Sequence, residues 1–347
     1  MTKPQASRTG SLPELDRRKK ILVVSDSLQE LVPATAALAA SGHEVQFIDE
    51  LIGFPEIVRR NLADIAGVDA VIMGRVKDID ANALDLARRV KVISLHTSGS
   101  DNIDIEAATR RGVVVTNVKG VNAEQCAEFS IGLMLAVTRQ IRTGDIAIRQ
   151  GRWAADTQSS IDLYGATLAV FGLGMIGKAA VRRAAAFGAR ILVHTRTPDR
   201  DFAREFAIEY VDKDEALRRA DVVSLYTSLN AETYHMIGAR ELSLMQRHAY
   251  LINIARGELI DESALFDALT NGTIAGAGLD VFETEPLQAT PLFDLPNVVL
   301  TPHQAGLAAS SKINAAVRAV ANALAVLAGN LPVDAINPHA MTTRMEI

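Results

Sequence analysis

The chain alternates, twice over, between short apolar runs rich in β-branched residues and longer Ala/Leu-rich stretches. The first series of runs is ILVVSDS (21–27), VQFID (45–49), AVIMGR (70–75), VKVISLHT (90–97) and VVVTNV (113–118). The second is ATLAVFGLG (166–174), ARILVHTR (189–196), DVVSLYTS (221–228), AYLINIAR (249–256), AGAGLDVF (275–282) and NVVLTPH (297–303). Runs that are apolar throughout, rather than alternating, suit strands covered on both faces. Separated by helix-length segments, they predict βαβ units and parallel sheets. Two series imply two doubly wound α/β domains, which 347 residues can accommodate. Between the series, a helix-like stretch at about 123–150 is too long for an ordinary crossover. It suggests an element that links domains or packs against another subunit. An Ala-rich helix at about 308–328 closes the pattern, ended by Gly329-Asn330 and Pro332.

Composition narrows the partners. A formal net charge of −5 gives no electrostatic reason to bind nucleic acid or an anionic membrane. No apolar run approaches the roughly 20 residues that span a bilayer. The single cysteine, Cys126, excludes an intrachain disulfide and fits a reducing, cytoplasmic setting. It sits in EQCAEFSIG at a helical position suited to a small buried residue, which reads as core packing. Residues 1–20 are polar and lack the apolar core of a secretory signal, so they read as a disordered lead-in. No pair of His or Cys has metal-ligand spacing, and no metal is expected.

The strongest local motif is VFGLGMIG, where Gly172, Gly174 and Gly177 follow a strand and open a helix. The first glycine permits the tight turn, and the second lets a pyrophosphate approach the backbone. The third lets helix and strand pack closely, with the helix N-terminus turned to the phosphates. In that setting the motif predicts a dinucleotide site, extending over Met175 and Ile176. The alternative is a tight turn with no ligand. Gly276 and Gly278 lack the third glycine and the helix, and read as strand packing.

An acidic residue that holds the adenosine ribose is expected roughly 20 residues further on. Thr195 lies 195 − 177 = 18 residues after Gly177, and the chain there reads Thr195-Arg196-Thr197. Arg196 can pair with a 2′-phosphate and the two threonines can donate hydroxyl hydrogen bonds to it. This predicts NADP(H) as the preferred cofactor, with NAD(H) possible. The alternative is a surface arginine in an enzyme that tolerates both. Asp199 is the nearest acid, and Pro198 favours its heading the next turn.

Polar clusters end the later runs of the same series. NIARGELID carries Arg256, GLDVFETEP carries Asp280 and Glu285, and TPHQAG carries His303. In open α/β sheets ligands sit beyond the C-terminal strand ends, so these groups can meet one crevice. Carbonyl reduction by hydride calls for such a set. The histidine supplies a proton to the oxygen, a carboxylate orients and favours its charged form, and the arginine forks onto a carboxylate. Singly, each has a bland reading as a loop or surface residue, and either Glu283 or Glu285 is solvated. His43, His194, His235, His248 and His339 have no evident partners.

In order and spacing, GLGMIG, NIARGELID, GLDVFETEP and TPHQAG resemble the D-isomer-specific 2-hydroxyacid dehydrogenases. Residues 98–141 and LPVDAINP (331–338) share the resemblance, which therefore spans about 70–338. It implies NAD(P)-dependent hydride exchange between a 2-oxoacid and a D-2-hydroxyacid. His303 is then the acid/base, Glu285 its partner, and Arg256 the substrate-binding arginine. The implied cofactor contacts extend to Thr227, Ile254, Ala255, Arg256, Asp280, His303 and Gly306. Backbone at Ser98 and Gly99 would receive the substrate carboxylate. The implied fold is a Rossmann domain (121–307) inserted in a discontinuous, flavodoxin-like substrate domain (21–120 and 308–347), in a homodimer.

The chain departs from the family pattern at Thr97-Ser98-Gly99, commonly Gly-Val-Gly, at Tyr226-Thr227-Ser228, commonly His-x-Pro, and at Lys119, commonly Pro. These changes leave the particular 2-hydroxyacid open. Arg75, Lys77 and Lys119 could add a cationic subsite for a phosphorylated substrate, and His96 could line the substrate site. A dinucleotide-sensing, corepressor-like protein on the same fold is the alternative function, and a non-redox enzyme with tightly held dinucleotide a third.

Overall fold

The structure is a computed structural model that describes residues 18–48, 67–74, 79–100, 102–153 and 160–343. Residues 1–17 of the expected lead-in, Arg75 and Lys77 lie outside that set, and Lys20 already begins the first strand. The chain divides into two compact units, one within Met1–Val121 and Ala309–Ile347, the other Asn122–Ala308.

The discontinuous unit holds β1 (Lys20–Val24), β2 (Glu44–Ile48), β3 (Ala70–Met73), β4 (Val92–Leu95) and β5 (Val114–Thr116). All pair in parallel, in the order β2-β1-β3-β4-β5, which is the flavodoxin-like order. Alternate strand residues serve opposite faces, so each face has its own core. Ile21, Val23, Ile72 and Val92 pack with the helices Val32–Ala40 and Ala309–Leu327. Leu22, Val24, Met73, Ile93 and Leu95 pack with Ala83, Leu84, Ala107 and Ala108. In the closing helix, Ala316, Ala319, Val320, Ala323 and Val326 are buried, a helical stripe of small residues that lets it lie close to the sheet. Gly329, at φ +85°, ends that helix in the left-handed conformation expected of a C-terminal glycine.

The second unit holds β6 (Thr167–Phe171), β7 (Arg190–His194), β8 (Glu209–Tyr210), β9 (Val222–Leu225), β10 (Tyr250–Asn253), β11 (Gly276–Leu279) and β12 (Val298–Leu300). They form one parallel sheet, ordered β12-β11-β10-β9-β6-β7-β8. The chain winds outward from β6 in one direction and then from β9 in the other. The strand order therefore reverses between β6 and β9, where doubly wound sheets bind their ligands. Every residue of β6, β9, β10 and β11 is buried, which accounts for their unbroken apolar runs.

The stretch read as one long helix is two, Ala123–Thr138 and Ile141–Arg149. Gln140 adopts a left-handed φ of +53° and breaks it. The first helix packs on the sheet, where a Cβ at Gly278 would meet Leu133 Cγ at 2.9 Å. Close packing thus accounts for that glycine. No helix of the described residues is long and apolar enough to cross a membrane.

Candidate active site

The glycine-rich turn is built by backbone contact. Gly172 leaves β6 at φ +97°, and a Cβ there would meet Thr227 N at 2.8 Å. A Cβ at Gly177 would collide with the Gly172 carbonyl. Gly174 is different, since a Cβ there would meet nothing within 4 Å. It caps the helix Met175–Ala186 with no side-chain hydrogen bond, and no acidic residue lies in the first turn. An unsatisfied positive helix end with open approach at one glycine fits the pyrophosphate of a dinucleotide. Ile176 is half-buried and Met175 exposed at the same helix start.

Thr227 follows β9, adjacent to Gly172 across the reversal point. Tyr226 before it turns inward, where its hydroxyl lies 2.7 Å from Ser130 Oγ. In place of the family's histidine the chain thus has a tyrosine tied to the helix Ala123–Thr138.

At the end of β7, Thr195 is half-buried, and Arg196 and Thr197 are exposed. Arg196 Nη1 lies 3.3 Å from Glu232 Oε2. Asp199 N-caps the helix Arg200–Glu205 by accepting from Phe202 N at 3.0 Å. Its other oxygen accepts from Lys178 Nζ at 2.6 Å, and this lysine holds the carboxyl below its usual range. Asp199 heads the next turn, as Pro198 suggested.

Beyond β10, Ile254 is buried and Ala255 half-buried. The fully buried Asn253 side chain ties the bend together: it donates to Arg256 O at 2.7 Å and accepts from Ala255 N at 3.0 Å. The Arg256 guanidinium donates to Ala255 O at 2.7 Å. A Cβ at Gly257 would collide with the carbonyl of Phe282, so the arginine bend is in backbone contact with the segment bearing Glu285.

Asp280 ends β11 wholly buried. Its carboxylate accepts from Thr301 Oγ1 at 2.6 Å, Gln304 N at 2.9 Å and Ala305 N at 2.9 Å. His303 N donates to Asp280 O at 2.8 Å. Asp280 therefore builds the turn that presents His303, a role its position at a strand end did not reveal. His303 itself holds a left-handed φ of +49°, a conformation costing roughly 1–2 kcal/mol for a residue with a Cβ. Its Nδ1 donates to Glu285 Oε2 at 2.8 Å, and Phe282 N donates to Glu285 Oε1 at 3.1 Å.

Glu283 is the exposed one of the two glutamates, and it lies 2.8 Å from His235 Nε2. This partner of His235 is 283 − 235 = 48 residues away, beyond any local pattern. His248 likewise has a partner, Asp221, at 2.7 Å. A Cβ at Gly306 would meet the end of the Asn122 side chain, Nδ2, at 2.5 Å. Cys126 is buried; burial first, then the charge of Asp280, pushes its thiol up to about 11. Among the described residues no cluster of three or more His, Cys, Asp or Glu is placed to hold a metal.

In the other unit, Ser98 and Gly99 follow β4, with Ser98 Oγ donating to Val118 O at 3.4 Å and Thr97 Oγ1 donating to Gly99 O at 3.1 Å. Asn117 Nδ2 donates to Ser98 O at 2.7 Å, so this loop is tied at both ends. Burial holds His96 below the ordinary imidazole value. Lys119 is exposed.

A Rossmann-type dinucleotide unit with an imidazole–carboxylate pair beyond its strand ends defines a nicotinamide-dependent oxidoreductase. Residues 131–305 match the family described as "D-isomer specific 2-hydroxyacid dehydrogenase, NAD binding domain". A glyoxylate reductase of Korarchaeum cryptofilum is 39% identical over 290 residues, 79% of this chain and 87% of the relative. The crystal structure of a glyoxylate reductase from Paecilomyes thermophila aligns with TM-score 0.83 and 31% identity, over 92% of this chain and 98% of that one. An NADPH-dependent glyoxylate/hydroxypyruvate reductase from Sinorhizobium meliloti, solved with NADP and malonate, aligns with TM-score 0.81 and 31% identity, over 93% and 98%. The chain belongs to the D-isomer specific 2-hydroxyacid dehydrogenase family. It is an NAD(P)-dependent enzyme that interconverts 2-oxoacids and D-2-hydroxyacids. The corepressor-like reading finds no support among these relatives.

Proposed function

We propose that the enzyme works as a reductase of a small 2-oxoacid of the glyoxylate or hydroxypyruvate type, with NADPH preferred over NADH. The Asn122–Ala308 unit, which carries the Gly172–Gly177 turn, holds the dinucleotide. The observation that carries the reading is the 2.8 Å pair of His303 Nδ1 and Glu285 Oε2, in the unit that also carries the Gly172–Gly177 turn. When bound, the nicotinamide supplies hydride to the carbonyl carbon.

His303 delivers a proton from Nε2 to the carbonyl oxygen, and Glu285 steadies the imidazolium that does so. In the oxidative direction the same nitrogen takes the hydroxyl proton. Arg256 forks onto the substrate carboxylate, for which its charge and planar donors are suited. Backbone N–H groups at Ser98 and Gly99 are the discontinuous unit's candidates for binding carboxylate, as the family resemblance implies. Gly172, Gly174, Met175, Ile176 and Gly177 surround the pyrophosphate. Thr195, Arg196 and Thr197 surround the adenosine ribose, and Thr227, Ile254, Ala255, Asp280 and Gly306 line the remaining length. The choice of NADPH rests on the absence of a carboxylate at Thr195 and the presence of Arg196. A cytoplasmic setting accords with the lone buried cysteine, and a homodimer with the apolar side chains exposed on the dinucleotide unit, Trp153 (93%) and Ile148 (55%) among them.

The deciding experiment is steady-state turnover of glyoxylate, hydroxypyruvate, pyruvate and 3-phosphohydroxypyruvate with each cofactor. The reading expects the highest kcat/KM for one of the first two, with NADPH. Turnover confined to the phosphorylated acid would overturn the substrate assignment.

A further inference from the structure

The dinucleotide unit contains a second imidazole–carboxylate pair beside the first. Two residues before Glu285 on the same bend, Glu283 Oε1 lies 2.8 Å from His235 Nε2, an ion-pair contact outside hydrogen-bond geometry. Like His303, His235 carries a left-handed backbone, at φ +48°. Two β-carbon-bearing residues held in this costly conformation, each facing a glutamate of one short segment, is an arrangement that chain packing alone does not require.

The pair belongs to a larger clamp. Glu262 N donates to Glu283 Oε1 at 3.2 Å, and Glu283 N donates to Glu262 Oε1 at 2.6 Å. The segment is thus tied reciprocally to the start of the helix Glu262–Thr270. His235 N donates to Glu258 O at 2.8 Å, and the Tyr234 ring stacks on the imidazole with centroids 4.0 Å apart and 16° between planes. On the other side, Gly257 brings the arginine bend into backbone contact with Phe282. Phe282 N in turn donates to the very carboxylate that meets His303. Crowding of carboxyls marks the place: Glu262 is pushed up by burial first, then by the charges of Glu283, Glu258 and Glu285.

Glu283 and Glu285 have the same reach and charge, and only one can serve His303. We propose that His235 is a positioning residue for the proton-transfer pair, acting through Glu283 to fix the segment that presents Glu285. The proposal rests on the reading of Glu285 as the partner of His303. Its physical content is preorganisation. A glutamate held in one rotamer by a fixed backbone has already lost side-chain freedom, and displacement of a reacting group by about 1 Å can cost on the order of 100-fold in rate.

The test is a set of steady-state cycles on the full-length enzyme with the best 2-oxoacid. His235→Ala and Glu283→Ala are each expected to lower kcat about tenfold, part of the cost of misplacing such a group. KM for the nicotinamide cofactor should change by less than about twofold. In a Glu285→Gln background the further loss from His235→Ala should shrink to nearly nothing, because residues that act through one another are not additive. Glu283→Ala leaves the left-handed backbone of His235 untouched, so it guards against a folding artefact of His235→Ala. Wild-type kcat in both alanine variants would overturn the inference. So would a tenfold loss that persists undiminished in the Glu285→Gln background. A silent Glu285→Gln would overturn the underlying pairing as well, and the two failures are told apart by that single variant.

Discussion

Arg196 points its guanidinium at Glu232, 3.3 Å away, with both side chains largely in solvent. An exposed pair of this kind is worth about 0.2–1 kcal/mol, far less than a charge-assisted fork onto a phosphate. On the proposed assignment of Arg196 to a 2′-phosphate, Glu232 competes only weakly for the arginine. The wild type should show higher kcat/KM with NADPH than with NADH. Thr195→Asp/Arg196→Ala should reverse the ratio, and Glu232→Gln should raise kcat/KM for NADPH by up to about fivefold while leaving NADH unchanged. A wild type that prefers NADH would remove this strand end from cofactor selection.

The 2.8 Å contact of His303 with Glu285 sets a second expectation. His303→Ala should lower kcat about 10²–10⁴-fold, the usual worth of a positioned general acid. Reduction requires the protonated imidazole, which a neighbouring carboxylate favours and a neutral amide does not. In Glu285→Gln the pH above which reduction fails should accordingly move down. A pH–rate profile superimposable on the wild type would exclude Glu285 from the proton transfer.

Arg256→Lys keeps the charge and loses the planar fork. KM for the 2-oxoacid should rise at least tenfold, on the order of the 1.5–3 kcal/mol that a hydrogen bond to a charged group contributes. Cofactor KM should stay within about twofold. The opposite pattern, with cofactor binding lost and substrate KM intact, would move Arg256 to the dinucleotide.

His96 links pH to stability. Burial lowers its pKa below the ordinary 6.5, so the unfolded chain binds the proton more readily than the folded one. Stability from this group is complete above about pH 6.5 and is lost as pH falls from there toward the folded value. Calorimetric Tm should therefore drop between about pH 7 and pH 5, and His96→Gln should flatten that slope. An identical slope in the variant would assign the acid sensitivity elsewhere.

Trp153 is 93% exposed and Ile148 55%. If these side chains are covered by a second copy, Trp153→Asp/Ile148→Asp should convert the dimer to a monomer in sedimentation velocity. A wild type that sediments as a monomer at micromolar concentration would dispose of the dimer.

Most of the strands were legible because they are buried on both faces, and burial writes itself into the chain as unbroken apolar runs. The two-residue β8 was not, for it pairs at the sheet edge through only two positions, Glu209 and Tyr210. The break at Gln140 also escaped, since an isolated left-handed residue leaves helical periodicity intact on either side. In the site, Asp199 could be assigned because proline restricts its neighbour. The division of labour between Glu283 and Glu285 could not, because what separates them is His235, near Glu283 only in the folded chain. Asp280 shows the same limit. A strand-end carboxylate looks alike in sequence whether or not it accepts hydrogen bonds from the turn beyond it, as Asp280 does around His303.

Gly172, Gly177 and Gly257 have no room for a methyl group, since each meets other main chain where a Cβ would stand. Beyond β7, by contrast, the Arg196 and Thr197 side chains are exposed, and Arg196 meets the exposed Glu232 at 3.3 Å. In a lineage of such enzymes, random drift therefore acts at two speeds. The glycine-rich turn tolerates no stepwise exploration, whereas the strand end proposed to meet the ribose can change one residue at a time without unfolding intermediates. An organism whose supply of reductant shifts could thus retune this enzyme through a handful of neutral surface changes while its chemistry stays as it was.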